Sequence, residues 1–312
     1  MPHAAPRIVS LLASATEMVA ALGLEDRLVG VSHECDHPPS VATLPRVTST
    51  RIDSLAGSGD IDAQVRAAVA AGEPLYDLDA AAIERLAPDL ILTQAQCDVC
   101  AVRLADVENM LRERTALSAT KIVTLNPKSL EDVSRDLALV AEAAGQGDLA
   151  ARRVTEWRER VDTLRRRAAV MPARPRVAFI EWTDPVMLGG NWIPELIDIA
   201  HGQQPLPIDG GQSPYIAWEE VLAYDPEVIV VAPCGFDLSR ALREAEALCA
   251  RPGWNQLSAV RAARVFAADG NSHFNRAGPR LVDSLEILFE LIHATDADSP
   301  PPAAARHQPR NR

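Results

Sequence analysis

Short apolar runs alternate with amphipathic stretches along most of the chain, the rhythm of an α/β protein. In the first half Arg7–Leu12, Leu28–Val31, Leu90–Leu92 and Lys121–Leu125 read as strands. Helices are predicted after the first strand through Leu22, with Ser14 or Thr16 as cap and Gly23 as stop. Others are predicted within Ser54–Gly72 and over Asp79–Leu86, Val102–Thr115 and Leu130–Ala144. In the second half Arg176–Ile180, Glu227–Val231 and Arg264–Ala267 read as strands. Pro194–Ala200, Trp218–Ala223, Leu238–Leu248 and Pro279–His293 read as helices.

Between the halves, Leu149, Val154, Trp157, Val161, Leu164 and Ala168 recur at three- and four-residue steps after an opening gap of five. Arg152, Arg153, Arg158, Arg165, Arg166 and Arg167 lie between them, so one long amphipathic helix with a solvated basic face is predicted. The organisation is an N-terminal α/β lobe over 7–146, a linking helix over 147–171 and a C-terminal α/β lobe over 172–296. The Pro-rich, polar stretch 297–312 reads as a disordered tail.

At 312 residues the chain suits two domains, and with 47% hydrophobic but only 4% aromatic residues its core is aliphatic. A net charge of −12 argues against a nucleic-acid surface. No apolar run reaches the roughly 18 residues of a membrane span, so no membrane insertion is expected. The start, Met1 to Arg7 followed by Ile8-Val9-Ser10-Leu11-Leu12, lacks a convincing cleavage site. A cytoplasmic protein is therefore expected, or a periplasmic one if the start is misassigned. In the cytosol thiols stay reduced, and five cysteines do not make a full disulfide set.

Four of the five cysteines follow predicted strands, where an open α/β sheet keeps its binding crevice. His33-Glu34-Cys35-Asp36-His37 gathers several ligating or titratable groups in one loop, with His33, Cys35, Asp36 and His37 as candidate ligand contacts. Gln94 and Gln96 precede a C-x-x-C formed by Cys97 and Cys100. Cys35, Cys97, Cys100 and Cys234 are the candidate metal set, for zinc or an iron–sulfur cluster; a thiol-lined small-molecule cleft and a structural role are the alternatives. Cys249, beyond a helix, reads as structural. Glu181 and Trp182 follow another strand. An indole there suits a planar ligand or caps a core. Gly189-Gly190-Asn191-Trp192 reads as a flexible turn offering backbone N–H groups, with Asn191 and Trp192 as contacts. Gly210 to Tyr215 reads as a mobile loop, with Tyr215 a contact. His273, Phe274 and Arg276 follow the last strand, Arg276 suiting a carboxylate or phosphate. No nucleophile, base and acid set is recognisable, so no catalysis is expected.

Several segments carry a family resemblance: Arg7-Ile8-Val9-Ser10-Leu11 through Thr16-Glu17, and Val29-Gly30-Val31-Ser32 followed by Cys35-Asp36-His37-Pro38-Pro39. Ile83 to Leu86 with Ala87-Pro88-Asp89-Leu90-Ile91, and Phe274-Asn275-Arg276-Ala277-Gly278-Pro279-Arg280, complete the series. In order and spacing these resemble the helical-backbone (class III, cluster A-I) substrate-binding proteins of ABC importers, most of all their periplasmic vitamin B12-binding members. The resemblance covers roughly residues 7–293. It implies two Rossmann-like lobes joined by one backbone helix, a ligand cleft between them, no catalysis, and a corrinoid such as cobalamin as ligand. A cytosolic metal- or iron–sulfur-dependent protein is the alternative, and haem or siderophore binding a third. The family's acidic permease-docking positions fall on Glu219 and on Ala81, and the missing charge at Ala81 weakens the expectation of an ABC permease partner. A monomer is expected.

Overall fold

The computed structural model describes residues 5–95, 99, 101–205, 210–295 and 299–307. The chain divides into two compact units, the first comprising Met1–Pro127 and Glu131–Trp157, the second Lys128–Leu130 and Arg158–Arg312.

In the first unit the elements run β1 (Ile8–Ser10), α1 (Ala13–Ala21), β2 (Leu28–Val31), β3 (Thr48–Thr50), α2 (Ser58–Ala71), β4 (Tyr76–Leu78), α3 (Ala80–Leu86), β5 (Leu90–Gln94), α4 (Leu104–Glu113), β6 (Lys121–Leu125) and α5 (Leu130–Ala143). The main sheet has the order β2-β1-β5-β6 and is parallel throughout, with Ile8 opposite Leu28 and Leu90. Its central strands β1 and β5 are buried along their whole length, as a sheet covered on both faces requires. β3 and β4 form a separate antiparallel pair. α3 begins where the Asp79 carboxylate accepts the Ala82 N–H at 2.8 Å, and ends at Ala87, in the left-handed region, before Pro88. α1 has no side-chain cap. Ser14 and Thr16, predicted as its cap, lie inside it, where Thr16 turns its hydroxyl to the Leu12 carbonyl at 3.4 Å.

The 22-residue helix α6 (Gly147–Ala168) is unbroken, and the division between the units falls inside it. Ala150, Val154, Trp157, Val161, Leu164 and Ala168 form its buried stripe. Ala150 takes the place predicted for Leu149, which restores the four-residue step and removes the irregular gap. The arginines face solvent, and Arg153 and Arg165 pair with Glu156 and Asp162 one turn away at 2.9 and 2.6 Å.

The second unit continues with β7 (Val177–Thr183), β8 (Val186–Leu188), α7 (Ile193–Ile199), α8 (Trp218–Tyr224), β9 (Val228–Val231), α9 (Leu238–Leu248), α10 (Ser258–Arg261), β10 (Val265–Ala268), α11 (Leu281–His293) and β11 (Ala304–Arg306). Its sheet has the order β11-β10-β9-β7-β8. The three central strands are parallel, and β8 and β11 add antiparallel edges. β11 corrects the expected disordered tail: Ala304, Ala305 and Arg306 pair with Ala268, Ala267 and Phe266. One face of this sheet packs Ile180, Ile229, Val231 and Ala267 against Trp218, Ala241, Ala245 and Trp254. α9 starts at Asp237, whose carboxylate accepts the Arg240 N–H at 2.8 Å.

Candidate functional site

In the first unit the parallel strands end at Ser10, Val31, Gln94 and Leu125, and the loop after β2 carries most of the chemistry. Its first residues are tied to β3. The His33 N–H donates to Thr48 Oγ1 at 3.0 Å, and the Thr48 hydroxyl donates to Ser32 Oγ at 3.1 Å. His33 Nδ1 lies 2.7 Å from the same Thr48 oxygen. With the Thr48 hydroxyl hydrogen directed at Ser32, Nδ1 is the donor of this pair. The ring is thereby held in one tautomer, with its lone pair on Nε2. Burial, helped by the Arg46 charge, pulls the His33 pKa down from the ordinary imidazole value, so the ring is neutral at pH 7. The Tyr76 ring lies 5.6 Å from the imidazole, and the Tyr76 hydroxyl donates to the Val99 carbonyl at 3.1 Å. Arg46 spans the loop from outside, donating to the Ser32 and Cys35 carbonyls at 3.0 and 2.6 Å.

The other predicted residues of this loop separate. Asp36 is exposed and His37 half-buried. Cys35 is 1% exposed, with its sulfur 3.1 Å from Thr16 Oγ1. It packs against α1, which corrects the expectation of a thiol offered to a ligand or metal. Gln94 is likewise buried at the end of β5. Gln96, Cys97 and Cys100 lie outside the described residues. The zinc and iron–sulfur readings of the cysteine set therefore gain no support. Thr48, Arg46 and Tyr76 were not singled out in the sequence; they stand 17, 15 and 45 residues beyond Val31, the last residue of β2, in a polar strand pair and its approach.

The second unit's rim is built differently. Glu181 and Trp182 stand near the end of β7, both half-buried. The Trp182 ring lies 5.2 Å from that of Phe236, and Arg240 covers Phe236 with its guanidinium 3.4 Å from the ring centre. Trp182 Nε1 donates to the Asp184 carbonyl at 3.1 Å. The Ser213 hydroxyl donates to Glu181 at 2.8 Å and accepts the Gly190 N–H at 2.9 Å. Gly190 is needed there: a Cβ would stand 2.4 Å from the Ser213 nitrogen. The Asn191 N–H goes to the Gly211 carbonyl at 2.6 Å. So the turn at 189–192 spends these N–H groups on the 211–213 segment, not on a ligand as expected. Tyr215 is 54% exposed and bridges to Met187, which ties the segment predicted as a mobile loop to β8.

After β10, the Asp269 carboxylate accepts the Asn271 and Ser272 N–H groups at 3.0 and 2.7 Å. The Asn275 amide donates to the Ala232 and Gly270 carbonyls at 3.0 and 3.1 Å. Arg276, half-buried, donates to Asn271 Oδ1 at 3.0 Å, and His273 is half-buried beside it in sequence. Cys234, after β9, is exposed. Trp192 and Phe274, predicted as contacts, are interior residues. Phe274 is 0% exposed with its ring 5.2 Å from Phe179, and its carbonyl accepts the Trp192 Nε1–H at 2.6 Å. Phe274 turns inward because its backbone is left-handed and its N–H is taken by Ser284 Oγ at 3.0 Å. Ser213 and Asn271 stand at the rim instead, and Phe236, 3% exposed, is a further interior ring beneath Trp182.

Residues 8–271 match the family described as "Periplasmic binding protein", and the chain belongs to that family. It is 25% identical over 293 residues to the uncharacterized ABC transporter substrate-binding lipoprotein YvrC of Bacillus subtilis, covering 92% of this chain and 80% of that one. It is 25% identical over 295 residues to a vitamin B12-binding protein of Photorhabdus laumondii, covering 93% and 90%. The fold matches that of the periplasmic heme-binding protein RhuT from Roseiflexus, with a TM-score of 0.70, 23% identity and coverage of 93% and 98%. The α/β fold is thus that of the periplasmic binding proteins, and the chain is a solute-binding protein, not an enzyme. The family works with ABC permeases and is periplasmic or lipoprotein-anchored, so neither the doubt about a permease nor the cytoplasmic expectation finds support. Among the described residues no helix is long and apolar enough to cross a membrane.

Proposed function

We propose that this member of the periplasmic binding protein family binds a corrinoid of the cobalamin type and hands it to an ABC permease. One observation carries the reading: the neutral His33 imidazole is tied through Nδ1 to Thr48, so Nε2 is the nitrogen left to coordinate a metal. A corrinoid cobalt has an axial position that such a nitrogen fills as a bound water leaves to solvent. The likeness to vitamin B12-binding proteins over nearly the whole chain favours a corrinoid over a porphyrin. Trp182, half-buried and backed by the interior Phe236 ring, supplies flat apolar surface, and Glu181 is an acceptor for amide side groups. Arg276 is a donor for a carboxylate or phosphate at the ligand's periphery. Exposed Glu219, in the first turn of α8, is the permease contact of this reading.

Titration with aquacobalamin, cyanocobalamin and haemin, followed by visible absorbance and tryptophan fluorescence, tests this. Both corrinoids should saturate the protein, and aquacobalamin alone should shift its visible band as imidazole replaces water. His33→Ala should remove the shift. Cys97→Ser with Cys100→Ser should leave corrinoid affinity unchanged. Saturation by haemin without response to either corrinoid would overturn the reading in favour of a porphyrin.

A further inference from the structure

Away from the strand-end rim, the second unit brings three metal-ligating side chains of different chemistry to one point. Glu246 and Cys249 stand three residues apart at the end of α9, hence on one face. His307 follows β11 directly, and its N–H donates to the Val265 carbonyl at 2.8 Å, which continues the β10–β11 pairing by one residue. The chain thus returns 58 residues later to lay an imidazole against the helix end. His307 Nε2 lies 3.2 Å from Cys249 Sγ and 3.4 Å from Glu246 Oε2, and all three ligand atoms fall within 4.8 Å of one another.

These separations have a coordination meaning. Metal–ligand bonds of about 2.0–2.3 Å at tetrahedral angles put neighbouring ligand atoms roughly 3.3–3.8 Å apart. The imidazole edges of the trio are already near that spacing. The donor set, one nitrogen, one sulfur and one carboxylate oxygen, suits zinc and its neighbours and is wrong for calcium or magnesium, which take oxygen. His307 is 6% exposed while Glu246 is partly exposed, so the trio has an inner and a solvent-facing side. Burial lowers the His307 pKa, which keeps the ring neutral and able to ligate. Burial, with the Glu246 charge, raises that of the Cys249 thiol, so ligation must expel the thiol proton to solvent.

We propose that Glu246, Cys249 and His307 form a binding site for a zinc-class divalent ion, with water as fourth ligand, that clasps the terminal strand β11 to the end of α9. The site is independent of the corrinoid reading and gives Cys249 a ligand role in place of the packing role expected from its position.

The test uses the full chain with Cys97→Ser and Cys100→Ser, which silences the vicinal thiols. After chelation it is titrated with Co2+ and with Zn2+. One equivalent should bind, with a thiolate-to-cobalt charge-transfer band, and Zn2+ should raise the melting temperature. Cys249→Ser should abolish the band. Cys249→Ser and His307→Ala should each weaken binding at least about a hundredfold, beyond the usual cost of losing an outer-shell partner. Glu246→Gln, the mildest change to the fold, should weaken it about tenfold and keep the band. Absence of saturable binding, or equal affinity in Cys249→Ser and Glu246→Gln, would overturn the site and leave an ordinary hydrogen-bonded trio. Corrinoid titration of the same variants should be unaltered, so failure here and failure of the proposed function read out separately.

Discussion

The two strand-end rims reach order by opposite means. In the first unit, hydroxyls and a guanidinium bind the loop after β2 to β3: Ser32, Thr48 and Arg46 close around His33 and leave one ring nitrogen defined. In the second unit, aromatic faces and backbone hydrogen bonds dominate: Phe236 under Arg240, Trp182 against Phe236, and Asn275 bridging two carbonyls. A polar network suits a coordinating or hydrogen-bonding contact, because each donor and acceptor direction is specified. An aromatic shelf suits a broad apolar face, where area matters more than direction.

The strongest way to break this comparison is inside the second rim. Phe274→Ala removes a ring with 0% exposure and should cost about 3–5 kcal/mol in denaturant unfolding. If it costs under about 1 kcal/mol, Phe274 is not the core residue that distinguishes this rim. On the polar side Thr48→Val keeps shape but strands the His33 N–H and Nδ1–H and takes one hydrogen bond from Ser32, which keeps the Glu34 N–H. A loss of roughly 1–3 kcal/mol is expected, together with loss of the aquacobalamin band shift. An unchanged shift would show that Thr48 does not set the His33 tautomer.

A smaller effect comes from Asp136 in α5, whose carboxyl is pushed up to about 6 by burial, with Asp132 adding to the shift against an opposing Asn126 N–H and Arg135. The folded state therefore holds a proton that the unfolded chain gives up near 3.8. Through that window stability falls as pH rises, and above about 6 the penalty is fully present. Asp136→Asn should be more stable than the parent by roughly 1–2 kcal/mol at pH 7, with the difference gone at pH 4. Guanidinium melts at the two pH values check it, and a gain that persists at acid pH would contradict the assignment. The least effect on stability is expected of Trp182→Ala, less than about 1 kcal/mol, although it should weaken corrinoid binding about tenfold. The contrast with Phe274→Ala separates shelf from core.

Much of the fold was legible because its signals are local. β2, β6 and α9 lie at their predicted bounds: an apolar run or a 3.6-residue stripe, a capping Asp237 and a following turn mark each. β3, β8 and β11 were not read. Each is three residues long and Thr48-Ser49-Thr50 is polar; β3 and β11 pair with distant segments, while β8 is the short return arm of a tight turn after β7. The rim was legible only as a list of strand-end loops. Trp182, Trp192 and Phe274 all follow strands, and nothing local says which ring turns inward; a left-handed backbone at Phe274 and the Trp192 hydrogen bond to its carbonyl decide that. The His33–Thr48 contact spans 15 residues and Cys249–His307 spans 58, so neither could be read from spacing.

Calorimetric titration of the purified full chain with cyanocobalamin tests the central claim most directly. The account predicts one corrinoid per chain with a Kd of about 1 μM or tighter. No saturable heat at corrinoid concentrations of about 1 mM would contradict it.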